Sequence, residues 1–189
     1  MSILFNSDLQ ISNIPFLSLI AGLSVCNVLN DFVDNKALIK WPNDIIIENK
    51  KICGILLESI IYSKRLSSII LGIGINLNNK DFEKEISHKA TSLFLETNKL
   101  VEHKIIVYKI LEQFSMYYKN FLSFGFDKII DEYKNLCASL NKNVVIKKHD
   151  GDIEAFATDI DNNGNLVVIT KDFKKLSINS CEVVIQGIY

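Results

Sequence analysis

The segment from Ser67 to Asn78, SSIILGIGINLN, restricts the fold more than any other part of the chain. Its β-branched residues favour a strand, and a period of two places Gly72, Gly74 and Asn76 on one face and Ile73, Ile75 and Leu77 on the other. One face packs and the other is bare. Glycine weakens a strand interior, so two on one face call for a close approach by a neighbouring element or by a ligand. Gly54 in KICGILLE repeats the feature on the preceding strand pattern. Three bare positions on adjacent strands weigh toward a flat ligand.

Around this segment, ALIKW, DIIIE, KICGILLESIIY and SSIILGIGINLN read as consecutive antiparallel strands, with reversals at Asn49-Lys50 and in SKRLS. SILFN at 2–6 is a short strand. SNIPFLSLIAGLSVCNVLNDFV reads as a helix with Asn13 at the cap and Pro15 in the first turn. Its apolar residues cover most of the circumference, which predicts a helix buried against a sheet. Residues 102–122 and 126–137 are predicted helices separated near Gly125. From Asn143 the pattern changes to short strands punctuated by HDGD and DNNGN, as in a small β-barrel or sandwich. The expectation is an α/β (α+β) chain: a mixed, largely antiparallel sheet with packed helices over 1–140 and a small β domain over 141–189.

Composition excludes several classes of function. With 21 basic and 22 acidic residues the net charge is −1, so no broad positive surface for nucleic acid or anionic lipid is implied. The apolar runs read as broken short of a membrane span, and the amino terminus lacks a secretory pattern, so a soluble, cytoplasmic protein is expected. Cys26, Cys53, Cys137 and Cys181 are widely spaced, without a C-x-x-C pair, and read as reduced thiols without structural zinc. Of the basic residues only Arg65 is an arginine, so a phosphate grip falls to lysine or backbone.

The charged residues of KWPNDIIIENKKICGILLE have ordinary explanations one at a time. Lys51 at a strand start suits a solvated edge, and Asn43 and Asp44 suit turn chemistry. Beside glycines, an ammonium is also a compact point charge for a carboxylate or phosphate.

In fixed order, KWPNDIII, KKICGILLE, LGIGINLN and ATSL (Ala90–Leu93) resemble the catalytic core of biotin protein ligases, and DIDNNGNLVVI and SCEVVIQGIY resemble their C-terminal domain. Lipoate ligases share the fold and are a weaker match. The resemblance implies a class II synthetase-like ligase core followed by an SH3-like β-barrel. It also implies a two-step reaction, in which biotin and Mg·ATP give biotinyl-5′-AMP and the acceptor lysine of a biotin carboxyl carrier protein or domain then attacks the mixed anhydride. By resemblance Lys51 meets the biotin carboxylate and the bridging oxygen, and Asp44 engages the incoming lysine or a Mg2+ ion. Lys40, Trp41, Asn43, Gly54, Gly72, Gly74, Ile75 and Asn76 border biotin and the adenylate.

The sequence departs from the family pattern in two respects. Its serine–threonine pair and its G-R-G-R-x-G-R-x-W loop do not occur here, which reads as an incomplete catalytic core and predicts weak adenylate formation or a non-catalytic binding subunit. Gln186 stands where the family's C-terminal motif carries arginine. The resemblance is compatible with a homodimer through sheet edges, and without a winged-helix segment no DNA-binding role is expected.

Overall fold

The computed structural model describes residues 1–5, 10–62, 65–147, 151–179, 182–185 and 188. β1 (Ser2–Phe5), β2 (Ala37–Lys40), β3 (Asp44–Ile47), β4 (Lys50–Tyr62) and β5 (Arg65–Ile75) form one antiparallel sheet in the order β1-β5-β4-β3-β2. Its strands follow one another in the antiparallel order expected from the alternating pattern; of the reversal expected in SKRLS, Ser63 and Lys64 lie outside the described residues, and Arg65 already pairs with Tyr62. The β3–β4 reversal falls on Glu48 and Asn49, with φ of +47° and +68°, one residue earlier than Asn49-Lys50. Two left-handed residues match the twist of a two-residue hairpin, and Lys50 already pairs with Ile47.

Helix α1 (Ile14–Asn30) lies on this sheet, and a Cβ on Gly22 would stand 3.8 Å from Ile55 Cδ1 and 3.9 Å from Ile39 Cγ2. Its other side is covered by α3 (His103–Phe124), with the Phe16 and Phe121 rings 5.2 Å apart. A helix enclosed on both sides is apolar all round, because no face is left to water. Ile11–Asn30 is consequently long and apolar enough, by length and composition, to cross a membrane, which corrects the expectation that every apolar run stops short; 67% of its apolar window is buried in the fold. Asn13 occupies the cap position without a capping side-chain bond, since a 3-10 turn at Ile11–Asn13 has already wound the backbone into the helical region.

The short α2 (Leu93–Thr97) follows the first sheet, capped by the Ser92 hydroxyl, which accepts from Leu95 N. After α3 the backbone turns at Gly125, φ +75°, into α4 (Ile130–Leu136). A second antiparallel sheet follows, made of β6 (Lys142–Lys147), β7 (Ile153–Ile160), β8 (Leu166–Thr170), β9 (Lys175–Ile178) and β10 (Glu182–Ile185) in the order β10-β6-β7-β8-β9. The buried core runs without a break from one sheet to the other. Trp41, 1% exposed, spans the junction: its backbone N donates to Ser139 Oγ at 2.9 Å and its indole Nε1 donates to Gly164 O at 3.0 Å. Gly164 has φ +78°, and a Cβ there would collide with Leu19 Cδ1 of α1.

Candidate active site

Antiparallel register places Lys40, Asp44, Gly54 and Gly74 in one row across four strands, each directly opposite the next. Residues directly opposite share a face, so the row sets a cation, a carboxylate and two glycines side by side. Lys51 is three residues from Gly54, and in a regular strand it would point to the other side of the sheet. The pairing slips between Ile45 and Ile46, where Ile45 faces Cys53 and Ile46 faces Lys51, so Ile52 is the extra residue of a β-bulge. The bulge turns Lys51 onto the glycine face while Ile52 and Cys53 both enter the core, at 0% and 1% exposure.

There the Lys51 ammonium lies 2.6 Å from Asp44 Oδ1. A Cβ on Gly54 would stand 2.9 Å from Lys51 Cε and 3.0 Å from its Nζ, so the absent side chain is the space that the lysine occupies. Gly74 is different: among the described residues only Gly54 O, at 3.8 Å, approaches its Cβ position. Gly72 is in ordinary contact with Leu56. Of the three bare positions, one makes room for Lys51 and one opens onto free space.

That space is a cavity of about 320 Å³, lined by Lys51, Gly54, Gly74 and Asn76 and, beyond β5, by Ile86, Lys89 and Ala90. Asn76 is held there by its Nδ2, which donates to Thr91 O at 3.1 Å, and by its backbone N, which donates to Ile52 O at 2.9 Å. The 86–90 segment is fixed to β4 through Lys51, whose N donates to Lys89 O at 2.7 Å and whose carbonyl accepts from Thr91 N at 2.9 Å. Among the described residues, Lys51 and Lys89 are the charged residues of the lining, and no acidic residue lines it. Cys53 also borders the cavity, but burial pushes its thiol up to about 12, so it stays protonated and offers no nucleophile.

The structure thus brings Lys51, Asp44, Gly54, Gly74 and Asn76 together. Lys40 is buried in the same row. Asn43 is committed to the sheet, its Nδ2 donating to Ile55 O at 2.8 Å and its carbonyl accepting from Ile55 N at 2.9 Å. Trp41 faces the junction with the second sheet, and Ile75 packs against the core; neither lines the cavity. Gln186 lies outside the described residues. Ile86 and Lys89 are additions, found in an irregular segment with no periodicity to mark it. A larger cavity, about 760 Å³, covers part of the second sheet and contains none of the residues expected from sequence.

Among the described residues no three His, Cys, Asp or Glu side chains cluster to hold a metal ion. Asp44 is the carboxylate of the row and already carries an ammonium at 2.6 Å. This donor set does not fit a magnesium ion held by the protein itself.

Residues 1–76 match the Biotin/lipoate A/B protein ligase family, and residues 139–185 match the Biotin protein ligase C terminal domain. The bifunctional ligase/repressor BirA of Bacillus subtilis is 30% identical over 174 residues, which are 91% of this chain and 54% of that protein. The chain spans about half the length of such curated relatives. Apo biotin protein ligase from Aquifex aeolicus superposes with a TM-score of 0.85 at 28% identity, covering 97% of this chain and 80% of that one. The same ligase in complex with biotin and ATP gives a TM-score of 0.82 at 28% identity, covering 97% and 76%.

Proposed function

Because this chain belongs to the biotin protein ligase family, we propose that it performs the ligase reaction, activating biotin with ATP and passing it to a lysine of a biotin carboxyl carrier protein or domain. The observation that carries the reading is the Lys51 ammonium, set by Asp44 beside an open cavity whose lining, among the described residues, holds two cations and no acid. In the first step a biotin carboxylate oxygen attacks the α-phosphorus of ATP, the bond to the bridging oxygen breaks, and pyrophosphate leaves. Two anions must approach each other, so a fixed positive charge at the point of attack lowers the barrier. Lys51 supplies that charge, and Asp44 keeps the flexible lysine in one place.

In the second step the acceptor amine attacks the acyl carbon of biotinyl-5′-AMP and AMP leaves with the bonding pair. Lys51 now faces the acyl carbonyl and the bridging oxygen that leaves with AMP. Asn76 and Gly74 border the adenylate, and magnesium enters with the nucleotide phosphates as part of the substrate. Residues 1–140 form the catalytic core and 141–189 an SH3-like domain of a cytoplasmic enzyme. The test is pyrophosphate release from biotin and ATP, together with biotin transfer from preformed biotinyl-AMP to a carrier domain. Both are expected to depend on Lys51, and carrier labelling that is unchanged in Lys51→Met overturns the assignment.

A further inference from the structure

The cavity lining carries a second lysine besides Lys51. Lys89 belongs to a turn-rich segment in which Ile86 N donates to Glu83 O at 2.9 Å and Lys89 N donates to Ile86 O at 2.8 Å. The spacing of three sets Ile86 and Lys89 on the same side of that turn, and both line the cavity. The main chain at Lys89 is not adrift, because its carbonyl accepts from Lys51 N at 2.7 Å and Ala90 bridges to Lys51 in parallel register. The two lysines are therefore carried on directly bonded backbones, one from β4 and one from the segment that crosses its start.

Their electrostatic situations differ. The Lys51 ammonium is bonded to the Asp44 carboxylate, which offsets part of its charge toward a ligand. Lys89 is exposed and enters no ion pair among the described residues. The chain's one arginine, Arg65, lies at the opposite end of the long β4–β5 hairpin from Gly54 and Gly74. We infer that Lys89 is a second anion-binding residue of the site, meeting the phosphate of the adenylate while Lys51 meets the acyl side. This rests on the ligase reading of the cavity and adds to it a residue that determines preference for a phosphorylated ligand. A lysine suits the place, since its long stem reaches across a cavity edge and presents a compact charge.

The experiment is a calorimetric titration with biotinol-5′-AMP, a stable phosphodiester, and with adenosine as the uncharged control, on wild type, Lys89→Ala, Lys89→Arg and Lys51→Met. Lys89→Ala is expected to weaken biotinol-5′-AMP binding roughly tenfold, with the loss shrinking at high salt, to leave adenosine binding unchanged, and to be restored by Lys89→Arg. If Lys51→Met weakens binding and Lys89→Ala does not, the Lys89 role is overturned and the ligase reading stands. If neither variant weakens binding, the reading of the cavity falls with it. An equal loss for adenosine, or no rescue by arginine, assigns Lys89 to holding the segment and overturns its role as an anion contact.

Discussion

Lys51 Nζ lies 2.6 Å from Asp44 Oδ1, directly over the position where Gly54 lacks a side chain. The pair is partly exposed, at 42% and 17% of the two side chains, so it adds little to stability, about 0–1 kcal/mol. Its effect on a ligand is larger. Lys51→Met is expected to cost about 1–3 kcal/mol in affinity for a biotinyl-AMP analogue, and Asp44→Asn part of that through loss of the anchor. Calorimetric titrations paired with thermal melts check this, and equal affinity in all three proteins would remove Lys51 from the site.

Gly74 separates a ligand face from a packing face. With only a carbonyl oxygen 3.8 Å from its Cβ position, Gly74→Val adds a favourable strand residue to open space. The thermal midpoint is expected to hold while analogue binding is lost, because the methyls occupy the cavity. A drop in stability of about 1–3 kcal/mol would instead reveal an overpacked neighbour.

The strands, the buried helix and the glycine face were legible because each rests on a short-range period. The position of Lys51 was not, since it depends on one extra residue, Ile52, that shifts the parity of β4. Nothing local announces that slip: Ile52 and Cys53 are both apolar, so either register reads as a strand. The burial of Trp41 was hidden for a different reason, because its partners Ser139 and Gly164 are 98 and 123 residues away. Lys89 was unmarked because an irregular turn has no face until its hydrogen bonds are known.

Trp41 supplies the next prediction. Trp41→Phe removes the indole N–H and leaves the Gly164 carbonyl without that donor, at a cost of about 1–3 kcal/mol in a buried setting. Urea unfolding should show a lower midpoint, and the folded fraction should bind the analogue as wild type does, because Trp41 does not line the cavity. Weaker binding at unchanged stability would return Trp41 to the site.

The same junction should respond to acid through Asp161. Its Oδ1 accepts from Asn163 N at 2.9 Å and Asn165 N at 3.0 Å, and its Oδ2 accepts from Ser177 Oγ at 2.6 Å and Asn165 Nδ2 at 3.1 Å. Burial acts to raise this carboxyl, but the hydrogen bonds outweigh it and hold the group below its ordinary value. In the unfolded chain an aspartate titrates near pH ~3.9. The folded state therefore binds fewer protons in that range, and the stabilising contribution is complete above about pH 4 and lost as pH falls through the depressed folded value. Asp161→Asn should be less stable than wild type at pH 6, and the difference should shrink below about pH 4. The loop that Asp161 braces carries Gly164, the acceptor for the chain's single tryptophan, so Trp41 emission reports on the same event. A red shift that begins at higher pH in Asp161→Asn than in wild type is the expected signature, and a stability difference that stays constant from pH 6 to pH 3 would show that Asp161 does not brace the junction.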